Sequence, residues 1–206
     1  MGERTATAAR ADLGLTEPGA VYVAMVGTVC ERKGQLAFLR DVGPSILRVS
    51  GLRLLIIGDS SPPEWEGRCR RLAEELGISD GVRFVPFSAE VYDWYLGIDI
   101  LAHYASAEGI PRVTLEAQAF GRPVVARRII GIDEAVEEGE TGYIAGSAAE
   151  MAERIVQLAT RPELRARMGG AGAVRVRQRF SPELAAGRLE AVYAEITGNG
   201  SAGRTG

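Results

Sequence analysis

Short, continuous apolar runs alternate along the chain with longer stretches in which apolar residues recur every three or four positions. The runs at 21–26, 52–57, 82–85, 98–102, 123–126 and 143–145 are mostly Val, Ile and Leu. Strands covered on both faces look like this, because neither side of the strand meets water. Between them, roughly 33–49, 64–76, 89–96, 111–120 and 132–138 carry the helical period. Strand alternating with helix predicts an α/β fold, a mostly parallel sheet with crossover helices. After Gly146 the pattern turns wholly helical. Ser147 is placed to cap a helix to Ala159, and 162–168 form the next. The glycine-rich 169–172 read as a joint, and Ser181-Pro182-Glu183 opens a final helix to about Ile196. Its Ala185, Leu189, Val192, Tyr193 and Ile196 fall on one stripe. Residues 1–9 and 198–206 read as disordered tails flanking one domain, 10–197.

Composition narrows the possibilities. A chain of 206 residues is long enough for a proper core and fits one domain. Its 24 basic and 27 acidic residues nearly balance, so no nucleic-acid partner is expected. No apolar run approaches the roughly 18 residues of a membrane span. The start, Met1-Gly2-Glu3-Arg4-Thr5, has no secretory apolar segment. Cys30 and Cys69 lack metal spacing and read as reduced thiols of a cytoplasmic protein. His103 is the sole histidine, which excludes a multi-histidine zinc site and argues against a histidine-based triad.

The chemistry concentrates in Ala107-Glu108-Gly109-Ile110-Pro111-Arg112-Val113-Thr114-Leu115-Glu116-Ala117-Gln118-Ala119-Phe120-Gly121-Arg122-Pro123-Val124-Val125-Ala126. Gly109 lets the backbone turn tightly and approach a ligand. Pro111 suits a helix start, where its missing N–H is no loss. The N–H groups of Arg112 and Val113 are then left unpaired at a helix end that favours anions. Glu108 at the lip and Glu116 inside the helix can accept from sugar and ribose hydroxyls.

This segment resembles the sugar-nucleotide-binding half of the family 4 (group 1) retaining glycosyltransferases of the type B fold, whose Glu-Gly-x-(Gly/Pro)…Glu-Ala-x-Ala-x-Gly-x-Pro-Val-Val-Ala pattern it matches throughout. The resemblance covers about residues 10–196. It implies a Rossmann-like, doubly wound parallel sheet of about six strands with a helical C-terminal region. It also implies transfer of a sugar from a nucleoside diphosphate sugar with retention, using no cofactor and no essential metal. By that likeness, Lys33 and the amides of Ile110, Pro111's successors Arg112 and Val113 face the diphosphate. Glu108 lies beside the sugar as the catalytic residue, and Glu116 takes the ribose. Val26-Gly27-Thr28-Val29-Cys30-Glu31-Arg32-Lys33-Gly34 resembles the family's Gly-Arg-x-x-x-x-Lys-Gly loop, with Gly27 admitting the backbone to the diphosphate. Thr28 stands where the family has arginine, and a hydroxyl does not replace a bidentate guanidinium. Arg32 and Arg112 are the candidates to compensate, against the plainer expectation of solvated side chains.

Other segments match less closely. Gly58-Asp59 resembles a turn lining the nucleotide cleft, and Val82–Val85 with Pro86-Phe87 a segment near the base. Phe84 and Phe87 are nonetheless expected in the core. His103-Tyr104-Ala105 replaces the family's apolar-Pro-Ser, and the histidine is expected to be a satisfied structural one. Ile129-Ile130-Gly131-Ile132-Asp133-Glu134 resembles a Gly-Gly-x-Pro-Glu turn in which Glu134 caps a helix. All of the likeness falls in the second half of a two-half enzyme, so an acceptor-binding half is expected in cis or in trans. The chain alone is then expected to be inactive, and any membrane association to be peripheral, through that missing half. A non-catalytic sugar-nucleotide-binding module, half of a split enzyme, and a type B epimerase-like domain are the alternatives. A nicotinamide-dependent oxidoreductase is rejected, because Gly27-Thr28-Val29-Cys30 is not Gly-x-Gly-x-x-Gly.

Overall fold

The computed structural model describes residues 4–87 and 90–181, together with Glu190 and Tyr193. Six strands form one parallel sheet in the order β3-β2-β1-β4-β5-β6. They are β1 (Val21–Val26), β2 (Leu52–Ile57), β3 (Val82–Val85), β4 (Ile100–His103), β5 (Val124–Arg127) and β6 (Gly142–Ala145). The order runs outward in both directions from β1 and β4. That makes their junction the switch point, where the connecting loops diverge and leave a crevice at the C-terminal edge of the sheet.

One face of the sheet is covered by α2 (Gln35–Asp41), α3 (Gly43–Ile46), α4 (Glu64–Glu75) and α8 (Ala148–Thr160). Phe38, Leu39, Ile46, Cys69, Met151 and Ile155 fill that core. The other face carries α5 (Val91–Gly97), α6 (Arg112–Ala119) and α7 (Ile132–Ala135), with Trp94, Tyr95, Ala117 and Ile132 packed beneath. Helix α1 (Ala6–Asp12) lies against α5, so residues 6–9 are helical where a tail was expected. Thr5 caps that helix by accepting from the Ala8 N–H, and Ala9 is fully buried. The last described helix is α9 (Pro162–Arg179).

Two helical expectations need correction. The stretch 33–49 is not one helix. It breaks after Asp41 into α2 and α3, because Pro44 has no N–H to continue the ladder. The glycines at 169–172 are not a joint either, since α9 runs straight through them. A Cβ on Gly169 would stand 1.9 Å from the Gly121 carbonyl oxygen, and one on Gly172 would stand 3.0 Å from Gln118. These glycines let α9 press against the end of α6, which fixes the helix whose other end opens on the crevice. Ser147 caps α8 as expected, accepting from the Glu150 N–H while Glu150 accepts from the Gly146 N–H. Residues 185, 189, 192 and 196 of the expected final stripe lie outside the described residues, as do 198–206.

Candidate functional site

Three loops meet at the switch point, and glycines set their spacing. Gly27 follows β1 with φ +129° and donates to the Ile57 carbonyl. Gly58 follows β2 with φ +138°, and a Cβ there would lie 2.4 Å from the Gly27 oxygen. Only glycine tolerates both the backbone angle and the contact. Val29 N–H then donates to the Asp59 carbonyl, and Ser61 N–H to the Val29 carbonyl, which zips the first two loops together. Gly34, at φ +78°, backs onto the Tyr104 carbonyl, and Ser106 N–H donates to the Arg32 carbonyl. Gln35 was not foreseen. Buried at the start of α2, it accepts from the Cys30 N–H and donates to the Thr28 carbonyl. A glutamine directly ahead of the apolar run Leu36-Ala37-Phe38-Leu39 was the available signal.

The basic loop so held carries its charges to the β4–α6 loop. Lys33 Nζ lies 2.6 Å from Glu108 Oε1. Arg32 Nη1 lies 2.5 Å from the same oxygen and also donates to the Ala107 carbonyl. Partial burial pushes the Glu108 carboxyl upward. The hydrogen bonds and charges of Lys33, then Arg32, outweigh it and hold the pKa below the ordinary carboxylate value. Arg32 is therefore tied into the site and is not merely solvated. His103, at the end of β4, is 5% exposed, and neither ring nitrogen has a partner among the described residues. That corrects the expectation of a satisfied structural histidine. Burial first, then the charge of Lys33, pushes its pKa down to about 4, with Glu108 pulling the other way.

Helix α6 opens beside this cluster. Pro111 is its N-cap, one residue before the expected helical position, and Thr114 Oγ1 donates to the Pro111 carbonyl at 2.7 Å. By helix geometry the N–H groups of Arg112 and Val113 have no carbonyl a turn earlier. Gly109 and Ile110 are exposed at the lip, and Arg112 is exposed as well. The turn at Gly131 abuts Gly109, its Cβ position 3.5 Å from the Gly109 oxygen. Val113 points inward and packs against the core beneath α6. One turn in, Glu116 Oε2 accepts from the Tyr95 hydroxyl at 2.8 Å. Burial, then the Glu116 carboxylate, raises the Tyr95 pKa, so the phenol stays protonated as a donor. Tyr95 also stacks on Phe120, with centroids 5.9 Å apart. This support for Glu116 was not visible in the sequence, because it joins α5 to α6.

The remaining expected residues are placed as follows. Thr28 is exposed at the loop surface. Asp59 Oδ1 accepts from the Phe87 N–H, fixing the end of β3 beside the crevice. Phe84 is half-buried under the Arg70 guanidinium, but Phe87 is 69% exposed and no core residue. Glu134 does not cap α7; Gly131 occupies that position, and no side chain bonds there. Asp99 lies just ahead of β4, at the far end of the sheet. A cavity of about 610 Å³ is lined by Cys30, Arg32, Trp65, Tyr104 and Arg127. It holds neither Glu108 nor Glu116, so it is not the crevice built here.

Comparison with known proteins gives the family and the fold. A model of the family described as "Glycosyl transferases group 1" matches residues 20–161. The D-inositol 3-phosphate glycosyltransferase of Pseudarthrobacter chlorophenolicus is 32% identical over 200 residues, covering 92% of this chain and 46% of that protein. That of Corynebacterium efficiens is 35% identical over 202 residues, covering 95% and 47%. The chain thus spans about half the length of the curated relatives it matches. Anabaena Alr3699/HepE in complex with UDP and glucose superposes with a TM-score of 0.81 at 24% identity, over 90% of this chain and 51% of that one. The C-terminal domain of a glycosyl transferase group 1 family protein from Francisella tularensis gives 0.76 at 21%, over 88% and 95%. At those identities the likeness is one of fold. The chain belongs to the group 1 glycosyltransferases, and its fold is that of their C-terminal domain.

Proposed function

We propose that the chain is the donor-binding half of a retaining glycosyltransferase and holds a nucleoside diphosphate sugar in the crevice between the β1, β4 and α6 ends. The observation that carries this reading is the meeting of Lys33, Glu108 and the open start of α6 at one point of the switch crevice. Fixed dipoles and a lysine charge stabilise the diphosphate best as it departs, when its negative charge is greatest. The backbone at Gly27 and Gly109 approaches that group closely. On binding, the diphosphate takes Lys33 from Glu108, which frees the carboxylate to face the sugar and the oxocarbenium-like centre. Glu116, steadied by Tyr95, accepts from the ribose hydroxyls. Transfer requires an acceptor-binding half, supplied in cis or in trans, to close over the sugar. The UDP carried by the Anabaena structure makes uracil the first base to try.

Calorimetry at low salt tests the assignment. UDP is expected to bind more tightly than UMP, and equal affinities would remove the diphosphate site. Glu116→Gln should weaken UDP by about 1.5–3 kcal/mol, the range for a hydrogen bond to a charged group. If inorganic pyrophosphate loses as much from that change as UDP does, Glu116 does not read the ribose.

A further inference from the structure

His103 is a buried polar group that the functional reading above leaves unused. Along β4, Ile100 and Ala102 enter the core on the α2 face, and Tyr104 follows them there. Leu101 enters the core on the α6 face. Strand alternation therefore turns His103 to the α6 side, where its β5 neighbour Ala126 also packs. The pairing of Ala24 with Leu101 sets His103 level with Val26, the last residue of β1 before Gly27. The ring thus lies beneath the floor of the crevice, within electrostatic reach of Lys33 and Glu108, and is reached by a ligand when Lys33 and Glu108 part. It is 95% buried, and neither nitrogen meets a protein partner among the described residues. A buried imidazole in that condition costs free energy unless something else takes its hydrogen bonds. Of the groups around it, Lys33 and the open start of α6 are donors, and the Glu108 carboxylate is already held by Lys33 and Arg32, so a further ligand there is an anionic oxygen.

We infer that His103 is a donor-contacting residue, whose imidazole gives one ring N–H to a phosphoryl oxygen of the nucleoside diphosphate. The inference rests on the reading of the crevice as a sugar-nucleotide site. It adds a neutral donor beneath the anion that Lys33 and α6 hold from above. A neutral ring suits the place, because a second full positive charge beside Lys33 is disfavoured there.

The sole histidine makes the test direct. In the ¹⁵N-labelled chain the two ring nitrogens of His103 are the only imidazole signals. UDP, GDP and ADP are added in turn, with uridine as the control. The expected result is one tautomer, with the N–H nitrogen shifting on addition of a diphosphate and not of uridine. His103→Leu should bind the same diphosphate about tenfold more weakly, with a melting temperature at pH 7 no lower than that of the parent. Backbone amide shifts at Gly27 and Arg112 without any imidazole shift would overturn the inference and leave the site reading intact. So would undiminished binding by a folded His103→Leu. If none of the three diphosphates moves any signal, the site reading falls and this inference with it. Should the variant fail to fold, the ring signals of the unchanged chain still decide.

Discussion

The two ends of the sheet each hold a carboxylate between two cations, and they hold it differently. At the N-terminal end, Asp99 accepts from Arg10 at 2.6 Å and from the Tyr22 backbone N–H at 2.8 Å, with Arg165 at 3.7 Å. Arg10 is itself anchored, donating through Nε to the Gly97 carbonyl. At the C-terminal end, Glu108 is held, among the described residues, by the long side chains of Lys33 and Arg32, the latter more than half exposed. A carboxylate fixed by a backbone donor keeps its partners. One held by two flexible cations can exchange them for a ligand. The first arrangement builds the fold, joining α1 and α9 to the turn before β4. The second stands at the crevice, where exchange is the useful property.

The sharpest way to break this contrast is to remove the fixed carboxylate. Asp99→Ala leaves the Arg10 charge and the Tyr22 N–H without their acceptor. It should lower the unfolding free energy by about 3 kcal/mol, the low end for a broken buried pair, given the partial exposure of Arg10. Urea unfolding measures the loss, and the UDP affinity of the folded fraction should be unchanged. A stable variant that loses nucleotide binding would reverse the roles of the two ends.

Acid tests the crevice end next. His103 has its pKa pushed down to about 4, and Lys33 and Glu108 are the charged groups that act on it. Above the unfolded value of about 6.5, both states are neutral and pH has no effect through this group. Below it the unfolded chain takes a proton that the folded chain refuses until about pH 4. Stability therefore falls with pH across that window, by on the order of 2 kcal/mol at pH 5. Between pH 7 and pH 5 the parent should lose that much more than His103→Leu, a difference that cancels the carboxylates common to both. Equal losses would mean that the ring protonates freely in the fold.

Glu108→Gln sharpens the contrast from the other side. The pair is held by side chains at the edge of solvent, so its loss should change stability by about 1 kcal/mol or less. Calorimetry should show UDP binding tightened, because Lys33 no longer has a carboxylate to satisfy. A loss approaching that of Asp99→Ala would mean Glu108 is as fixed as Asp99.

What the sequence disclosed follows the same division. All six strands were legible, because a strand buried on both faces needs a short Val, Ile and Leu run and little else makes one. Glu108 with the start of α6, and Lys33, were singled out through two separate contiguous motifs. The contacts that were missed join segments far apart in the chain. Arg32 with Glu108, Tyr95 with Glu116, and Asp99 with Arg10 depend on how loops and helices fold back, and no local pattern encodes that. The glycines of α9 misled for a related reason: they resemble a hinge locally, but their cause is the Gly121 backbone, 48 positions earlier. His103 showed as a lone polar residue at a strand end. Its lack of a partner became visible only once its neighbours were in place.

The smallest expected effect concerns Thr28, the one basic position of the loop that the chain lacks. Thr28 is exposed, one residue beyond the Gly27 that admits the backbone to the crevice. An arginine there would reach the diphosphate from the solvent side, where a guanidinium is partly screened. Exposed charge pairs contribute roughly 0.2–1 kcal/mol, so Thr28→Arg should tighten UDP about 1.4- to fivefold. The gain should shrink as salt is raised, because the added contact is to a charge in reach of solvent. Arg112 is the competing candidate, exposed at the first position of α6. If Arg112 already fills the place, Thr28→Arg brings no gain and Arg112→Ala weakens UDP by the amount expected of the missing arginine. A gain from Thr28→Arg with no loss from Arg112→Ala shows instead a site short of one charge. In that case the exchange of Lys33 from Glu108 to the diphosphate carries more of the binding than it would in a loop with both cations.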